Sequence, residues 1–284
     1  MRRIVLVGSP NVGKSGIFNQ LTGRYAVVSN YPGTTVEISR GEMMLEGELV
    51  EVVDTPGTYS LLPASEEEAV TRRLLWQEDA DLVLHVVDTK NLEHSLSLTF
   101  ALLEAGFRVI LVLNMFDEAE RFGFAVDVER LEERLGIPCA ATIGTSGWGV
   151  EGLKEAVRKE LAVLHAEESA VGGGFAFPVQ TGGKRRGRKL VKYPLQIERL
   201  LTAATGSMKG QYPFSARTAA LLLLVGDEEV ASWLHPRDRR SVENISKGIP
   251  PDQVILSVAA ARRKAAQRLL EGIVRKPEAA GAGS

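Results

Sequence analysis

The chain has 284 residues, 44% hydrophobic and 25% charged, with a formal net charge of −2 at pH 7. That length suits one large domain or two modest ones, and the near-neutral balance argues against binding nucleic acid or anionic membrane through the overall field. A single cysteine, Cys139, excludes an internal disulfide and fits a reducing compartment; no apolar run approaches the roughly 18 residues of a membrane span, so a soluble, cytoplasmic chain is expected.

From the start to about residue 166, strand-like runs alternate with helix-like ones. Arg3 to Val7 is a short apolar strand, and Lys14 to Leu21 has helical spacing. Val36 to Leu45 and Glu48 to Val53 pair as a hairpin around Glu46-Gly47. Leu82 to Val87 and Val109 to Leu113 are dense in valine and leucine, as strands buried on both faces are. Between them, the leucines of Leu92 to Leu103 recur at helical intervals. Asp127 caps a helix ending at Gly136, Pro138 to Ile143 is a last strand, and Val150 to Leu164 a closing helix. This alternation predicts an α/β domain with a mostly parallel sheet over residues 1–166.

The stretch 167–194 turns rich in glycine and basic residues and reads as a linker or mobile loop. After it come only helical patterns: Leu195 to Ala204, Ser215 to Val225, Asp227 to Leu234, Asp238 to Ser246 and Pro251 to Val274. Residues 195–274 are therefore expected to form a small all-α domain, with 275–284 a disordered tail.

Gly8-Ser9-Pro10-Asn11-Val12-Gly13-Lys14-Ser15 matches G-x-x-x-x-G-K-[ST] between a strand and a helix, the setting of a P-loop. Glycine lets backbone N–H groups turn inward around phosphate oxygens, and the helix N-terminus favours negative charge. Lys14 would reach the β- and γ-phosphates and the Ser15 hydroxyl would ligate Mg²⁺. Asp54-Thr55-Pro56-Gly57 ends a strand; Asp54 can hold the magnesium shell, and the Gly57 N–H can bond the γ-phosphate.

Asn114-Met115-Phe116-Asp117 follows the strand Val109 to Leu113 and resembles the N-K-x-D guanine-reading motif of the GTPase superfamily. An ionised Asp117 only accepts, and guanine offers two adjacent donors, N1–H and its amino group. Met115 stands where lysine is usual and can cover one face of the base. Gly144-Thr145-Ser146 occupies the place of the superfamily's S-A-K loop, with Gly144 where serine is usual; a mobile loop and fast nucleotide exchange are expected. Trp148 nearby is read as packing rather than base stacking.

Around these motifs lie Asn30-Tyr31-Pro32-Gly33-Thr34-Thr35-Val36-Glu37, Asp54 to Leu61, and Asp88-Thr89-Lys90-Asn91-Leu92-Glu93. Together they resemble the cytosolic G domain of bacterial ferrous iron transport protein B over residues 1 to about 165. The later helices resemble that family's helical spacer domain more weakly. The resemblance implies a Ras-like P-loop GTPase domain followed by a small helical domain, binding GTP and GDP with Mg²⁺ and regulating ferrous iron uptake through a membrane permease. It implies a soluble fragment or a split transporter, at the cytoplasmic face of the bacterial inner membrane when joined to the permease, in the same or a companion chain. Homo-oligomerisation is left open.

By the same resemblance, Thr35 ligates Mg²⁺ in the GTP state, although spacing alone admits Thr34 or Thr35, and Gly33 permits the loop to move. Asn11 matches an asparagine that helps hold a potassium ion where an arginine finger places its charge. The residues assigned to catalysis are Asn11, Lys14, Thr35 and Gly57. Thr58 stands at the position of the water-orienting glutamine of Ras-like GTPases and is too short for that task, so no general base is assigned and slow hydrolysis is expected.

Glu66-Glu67-Glu68 reads as a solvated helix start. His85 reads as core, and the histidines do not cluster into an iron site. The basic run Lys184 to Lys189 suits a solvated linker or contact with anionic headgroups, and nucleic-acid binding is not expected. Two other functions share the motifs: a ribosome- or RNA-associated GTPase, and a GTP-binding sensor without catalysis.

Overall fold

The computed structural model describes residues 1–23, 26–78, 80–170, 190–210 and 212–276. Seven strands form one sheet: β1 (Arg2–Val7), β2 (Ala26–Asn30), β3 (Glu37–Leu45), β4 (Glu48–Asp54), β5 (Leu82–Asp88), β6 (Val109–Asn114) and, after the two-residue β7 (Ala125–Val126), β8 (Cys139–Ala141). Their order is β2-β3-β4-β1-β5-β6-β8. The hairpin edge β2-β3-β4 is antiparallel and the other pairings are parallel.

Strand residues point alternately to opposite faces, and both faces are covered. Ile4 and Leu6 join the layer containing α1 (Lys14–Thr22) and α6 (Val150–Ala170), while Val5 and Val7 join the layer containing α2 (Glu66–Gln77), α3 (Leu92–Ala105) and α5 (Val128–Leu135). Burial on both sides is why β1, β5 and β6 read as continuous apolar runs. β2 was not expected. All five of its residues are exposed, and it is held by its backbone ladder to β3, so no apolar alternation marks it. A short helix α4 (Phe116–Arg121) directly follows β6 and was also unmarked.

The C-terminal part contains α7 (Leu195–Ser207), α8 (Ala216–Leu224), α9 (Glu228–Trp233), α10 (Pro236–Ile245) and α11 (Pro251–Leu270). Its apolar residues share one core cluster with α2 and α3. Arg72 of α2, only 2% exposed, pairs with Asp227 and Glu229, and Trp76 packs against Phe214 and Trp233. Glu104 at the end of α3 holds Arg217 at 2.8 Å and Arg262 at 3.0 Å.

Several expected boundaries need correction. α6 runs on to Ala170, past the expected start of the linker at residue 167. Val191 and Tyr193 are buried in the core, so 190–194 is packed chain rather than mobile loop. The rest of that stretch, including the basic run 184–189, lies outside the described residues. α11 stops at Leu270, and Gly272 (φ 72°) turns the chain into β9 (Val274–Arg275), which pairs antiparallel with β7. The region after 194 is therefore not purely helical, and Arg275 belongs to a strand; 277–284 lies outside the described residues.

Candidate functional site

The turn from β1 into α1 is fixed by two close approaches. A Cβ at Gly8 would lie 2.1 Å from the Val86 carbonyl oxygen, and one at Gly13 (φ 84°) would lie 2.3 Å from Asn114 Nδ2. No larger residue fits either place with this backbone, so the loop Ser9-Pro10-Asn11-Val12 has to curl over the start of α1. Asn11 takes a left-handed φ of 63° and is exposed.

Lys14 lies beneath this loop, 8% exposed, its ammonium donating to Gly8 O at 3.2 Å and Ser9 O at 3.3 Å. Among the described residues it has no carboxylate within ion-pair distance. Burial lowers its pKa, with the Asp54 charge acting the other way. At the end of β4, Asp54 accepts from Ser15 Oγ at 2.7 Å through Oδ2, while its other oxygen, Oδ1, is buried with no partner. Burial raises the Asp54 pKa, against the Ser15 bond and the Lys14 charge. A hydroxyl and a carboxylate with a spare oxygen form a hard-oxygen set that fits a small divalent cation such as Mg²⁺.

The segment after Asp54 crosses the loop. A Cβ on Gly57 would lie 2.6 Å from Pro10 Cγ, and the Thr58 N–H donates to Gly8 O at 2.9 Å. Thr58 is 1% exposed and its hydroxyl donates inward to Ser60 O at 2.9 Å. Glu68 corrects the reading of an exposed acidic helix start. It is 8% exposed, and its carboxylate accepts from Tyr59 N at 2.9 Å and Ala64 N at 2.8 Å, gathering the loop onto α2. Only the third glutamate of the run turns inward, a distinction that spacing from the Ser65 cap could have supplied.

On the other side, Gly33 (φ 78°) opens a turn in which Thr34 Oγ1 donates to Tyr31 O at 2.9 Å and accepts from Val36 N at 3.2 Å. Thr34 is thus occupied locally. Thr35 is exposed, which separates two residues that spacing leaves equivalent.

Asn114, 2% exposed, joins three segments. Its Nδ2 donates to Val12 O at 2.9 Å, and its Oδ1 accepts from Gly144 N at 2.9 Å and Thr142 Oγ1 at 3.3 Å. Its carbonyl accepts from Thr89 Oγ1 at 2.7 Å. Asn114 is thus a tie between loops. Met115 takes φ 56° at the start of α4, and its methyl lies 3.7 Å from a Cβ built on Gly13. Asp117 stands in the first turn of α4, 42% exposed at its side chain, with Arg121 at 3.9 Å. The Gly144-Thr145-Ser146 loop closes on itself, Ser146 N donating to Ile143 O at 3.2 Å and Ile143 N to Trp148 O at 3.0 Å. Gly144 O also accepts from Gln20 at 3.2 Å. Trp148, read from the sequence as packing, stacks on Phe116 while remaining 54% exposed.

P-loop, Asp54 segment, Thr35 turn and Asn114–Asp117 therefore lie along the C-terminal ends of the parallel strands, where an open α/β sheet usually has its ligand cleft. One end offers backbone N–H groups, an ammonium and a carboxylate with a spare oxygen; the other offers an accessible carboxylate and an apolar thioether.

The family model of ferrous iron transport protein B matches residues 2–157. Over 233 residues the chain is 38% identical to the Fe(2+) transport protein A/Fe(2+) transporter FeoB fusion protein of Porphyromonas gingivalis, covering 80% of this chain and 26% of that protein. It is 42% identical over 168 residues to the Fe(2+) transporter FeoB of Escherichia coli K12, covering 58% of this chain and 22% of that one. It thus spans about a quarter of the length of these curated relatives. The cytosolic domain of the T. maritima FeoB iron transporter in its GMPPNP form aligns with a TM-score of 0.78 at 30% identity, covering 97% of this chain and 100% of that one. The shared architecture is a Ras-like α/β fold with a mostly parallel sheet and a helical C-terminal region.

Proposed function

Because the chain belongs to the family of ferrous iron transport protein B, we propose that it is the cytosolic GTP-binding and GTP-hydrolysing module that regulates ferrous iron passage through a membrane permease. The permease would lie in the same or a companion chain, with this module at the cytoplasmic face of the bacterial inner membrane. The observation that carries the reading is the pairing of a buried, carboxylate-free Lys14 ammonium with a buried, unpartnered Asp54 oxygen. Among the described residues the ammonium has no carboxylate at ion-pair distance and the Asp54 oxygen has no hydrogen-bond partner; a magnesium-bound nucleoside triphosphate supplies an anion to one and a cation to the other. Structures of the T. maritima relative in GMPPNP and GDP forms support the guanine-nucleotide assignment.

In this reading, amides from Gly8 to Ser15 and the Lys14 ammonium hold the phosphates, with the Gly57 N–H directed at the γ-phosphate. Ser15, Asp54 and Thr35 would hold Mg²⁺, which would supply charge neutralisation at the triphosphate. Asn11 would help hold a potassium ion, which would supply charge where an arginine finger does. Asp117 accepts the two guanine donors, Met115 covers the base, and residues 144–146 back its edge. With Thr58 turned inward, the attacking water is placed by backbone groups and Thr35, so hydrolysis is slow.

The inward Thr58 also favours a second reading, a GTP-binding sensor without turnover. Calorimetry with Mg²⁺ and single-turnover assays in KCl, in NaCl and without monovalent salt separate the readings. A GTPase binds GTP and GDP well above ATP, turns over GTP, and is faster in KCl. Binding without turnover identifies the sensor, and equal affinity for ATP ends both readings. Thr35→Ala should slow hydrolysis more than it weakens GDP binding, because Thr35 serves the triphosphate state; equal losses for GTP and GDP would remove it from that role.

A further inference from the structure

We propose that Trp148, stacked on Phe116, is a latch across the base end of the cleft and sets how fast guanine nucleotide leaves; this rests on the reading that Asp117 faces the guanine.

The geometry is unusual for an indole. Trp148 is 54% exposed, yet its ring lies 6.1 Å from the Phe116 ring at an interplanar angle of 25°. Burial therefore does not explain its placement; the ring contact does. Its backbone is fixed independently. The Trp148 carbonyl accepts from Ile143 N at 3.0 Å, and its N–H donates to Ser146 Oγ at 3.3 Å. The next residue, Gly149, comes so near β8 that a Cβ there would lie 2.0 Å from Ala141 O. The turn is thus pinned at its foot with the indole projecting over α4.

Phe116 lies between Met115 and Asp117, the two residues directed at the base. The stack therefore connects the loop backing the base to the helix that reads it. Other ties join these segments: Gly144 N to Asn114 Oδ1 at 2.9 Å, Thr142 Oγ1 to Asn114 Oδ1 at 3.3 Å and Phe116 N to Thr142 O at 3.3 Å. These lie at the roots, where strands β6 and β8 end. Trp148 on Phe116 is the tie at the solvent rim. A base leaving this end must part the loop from α4, and the outer tie must yield first.

A stacked aromatic pair of this kind shifts an equilibrium by roughly two- to tenfold. The test uses the full chain with Mg²⁺ and a fluorescent GDP analogue, following release by stopped flow against excess GDP. Trp148→Ala should release nucleotide roughly two- to tenfold faster, with the preference for guanine over adenine unchanged. Trp148→Phe, which keeps an aromatic face, should remain near the parent rate. Phe116→Ala should match Trp148→Ala, and the double variant should be no faster than either single one, as expected for two halves of one contact. Release by Trp148→Ala at the parent rate overturns the latch, as does Trp148→Phe behaving like Trp148→Ala, or additive effects in the double variant. Loss of guanine preference in Trp148→Ala would instead place the indole on the base itself and overturn it too. These outcomes presuppose binding by the parent chain, whose absence would overturn the site reading and the latch with it.

Discussion

The two ends of the cleft are built by different means. At the phosphate end, backbone approaches at Gly8 and Gly13 leave no room for a side chain, and the charged groups Lys14 and Asp54 are buried with part of their bonding capacity unused. At the base end, the groups that would meet the ligand stand at the surface. Asp117 is 42% exposed at its side chain, Trp148 is 54% exposed, and loops are joined by hydrogen bonds and one ring contact. The phosphate end is preorganised at a cost in desolvation that ligand offsets, so it should carry affinity. The base end bears little such cost and should carry discrimination and release rate. Asn114, bonded to both Val12 and Gly144, connects the two.

The largest expected effect follows from the buried ammonium. Lys14→Met keeps most of the apolar stem and removes the charge. Because burial disfavours charged Lys14 in the ligand-free fold, the variant should melt no lower than the parent without nucleotide. Its affinity for both GTP and GDP should fall on the order of a hundredfold, the loss of charge-assisted bonds to phosphate. Calorimetry and thermal melts check both halves. Weak binding together with a clear drop in ligand-free stability would mean Lys14 is a structural group, and the contrast between the ends would disappear.

At the base end, Asp117→Asn should change choice more than strength. An amide presents a donor where guanine also presents donors, and suits the O2 acceptor of xanthine. GTP should weaken by roughly ten- to a hundredfold while xanthosine triphosphate gains. Competition against a fluorescent analogue reads the ratio. Retained preference for GTP would place the base elsewhere.

The same contrast explains what could be read from sequence. The phosphate end was legible because backbone geometry demands particular residues at fixed spacing: Gly8, Gly13, Lys14 and Ser15 have few substitutes. The parallel strands were legible because burial on both faces leaves an unbroken apolar run, as in β6. β2 was not, since a strand held by backbone bonds to a single neighbour needs no side-chain pattern. The spacing from Ser65 marks Glu68 as the inward glutamate, but its partners were hidden because they depend on the fold of the preceding loop, which brings the Tyr59 and Ala64 amides to it. The partner of Trp148 was hidden for a related reason: Phe116 is 32 positions earlier, and only the adjacency of β6 and β8 brings the two rings together. β9 is a two-residue pairing whose partner β7 precedes it by about 150 residues, too short and too distant for any local signal.

The last effect, absent near neutral pH, concerns the sheet beneath the phosphate loop. His85 in β5 is 1% exposed, with Nδ1 2.9 Å from Thr99 Oγ1. Burial first, and the Lys14 charge second, push its pKa down to about 3. The unfolded chain carries a histidine near 6.5, roughly its ordinary value. Below that pH the unfolded state takes up a proton that the folded state refuses. The stability associated with neutral His85 is therefore fully present above about pH 6.5 and lost as pH falls from there toward about 3, at up to about 1.4 kcal/mol per pH unit. Urea melts between pH 7 and 4.5 should show this slope, and His85→Gln, which keeps a polar group beside Thr99 without a titrating ring, should flatten it. Lys14→Met should flatten it less, because the ammonium is the secondary cause. If Lys14→Met removed nearly as much of the slope as His85→Gln, charge rather than burial would dominate beneath the loop, and the phosphate end would carry repulsion between cations that an anion relieves.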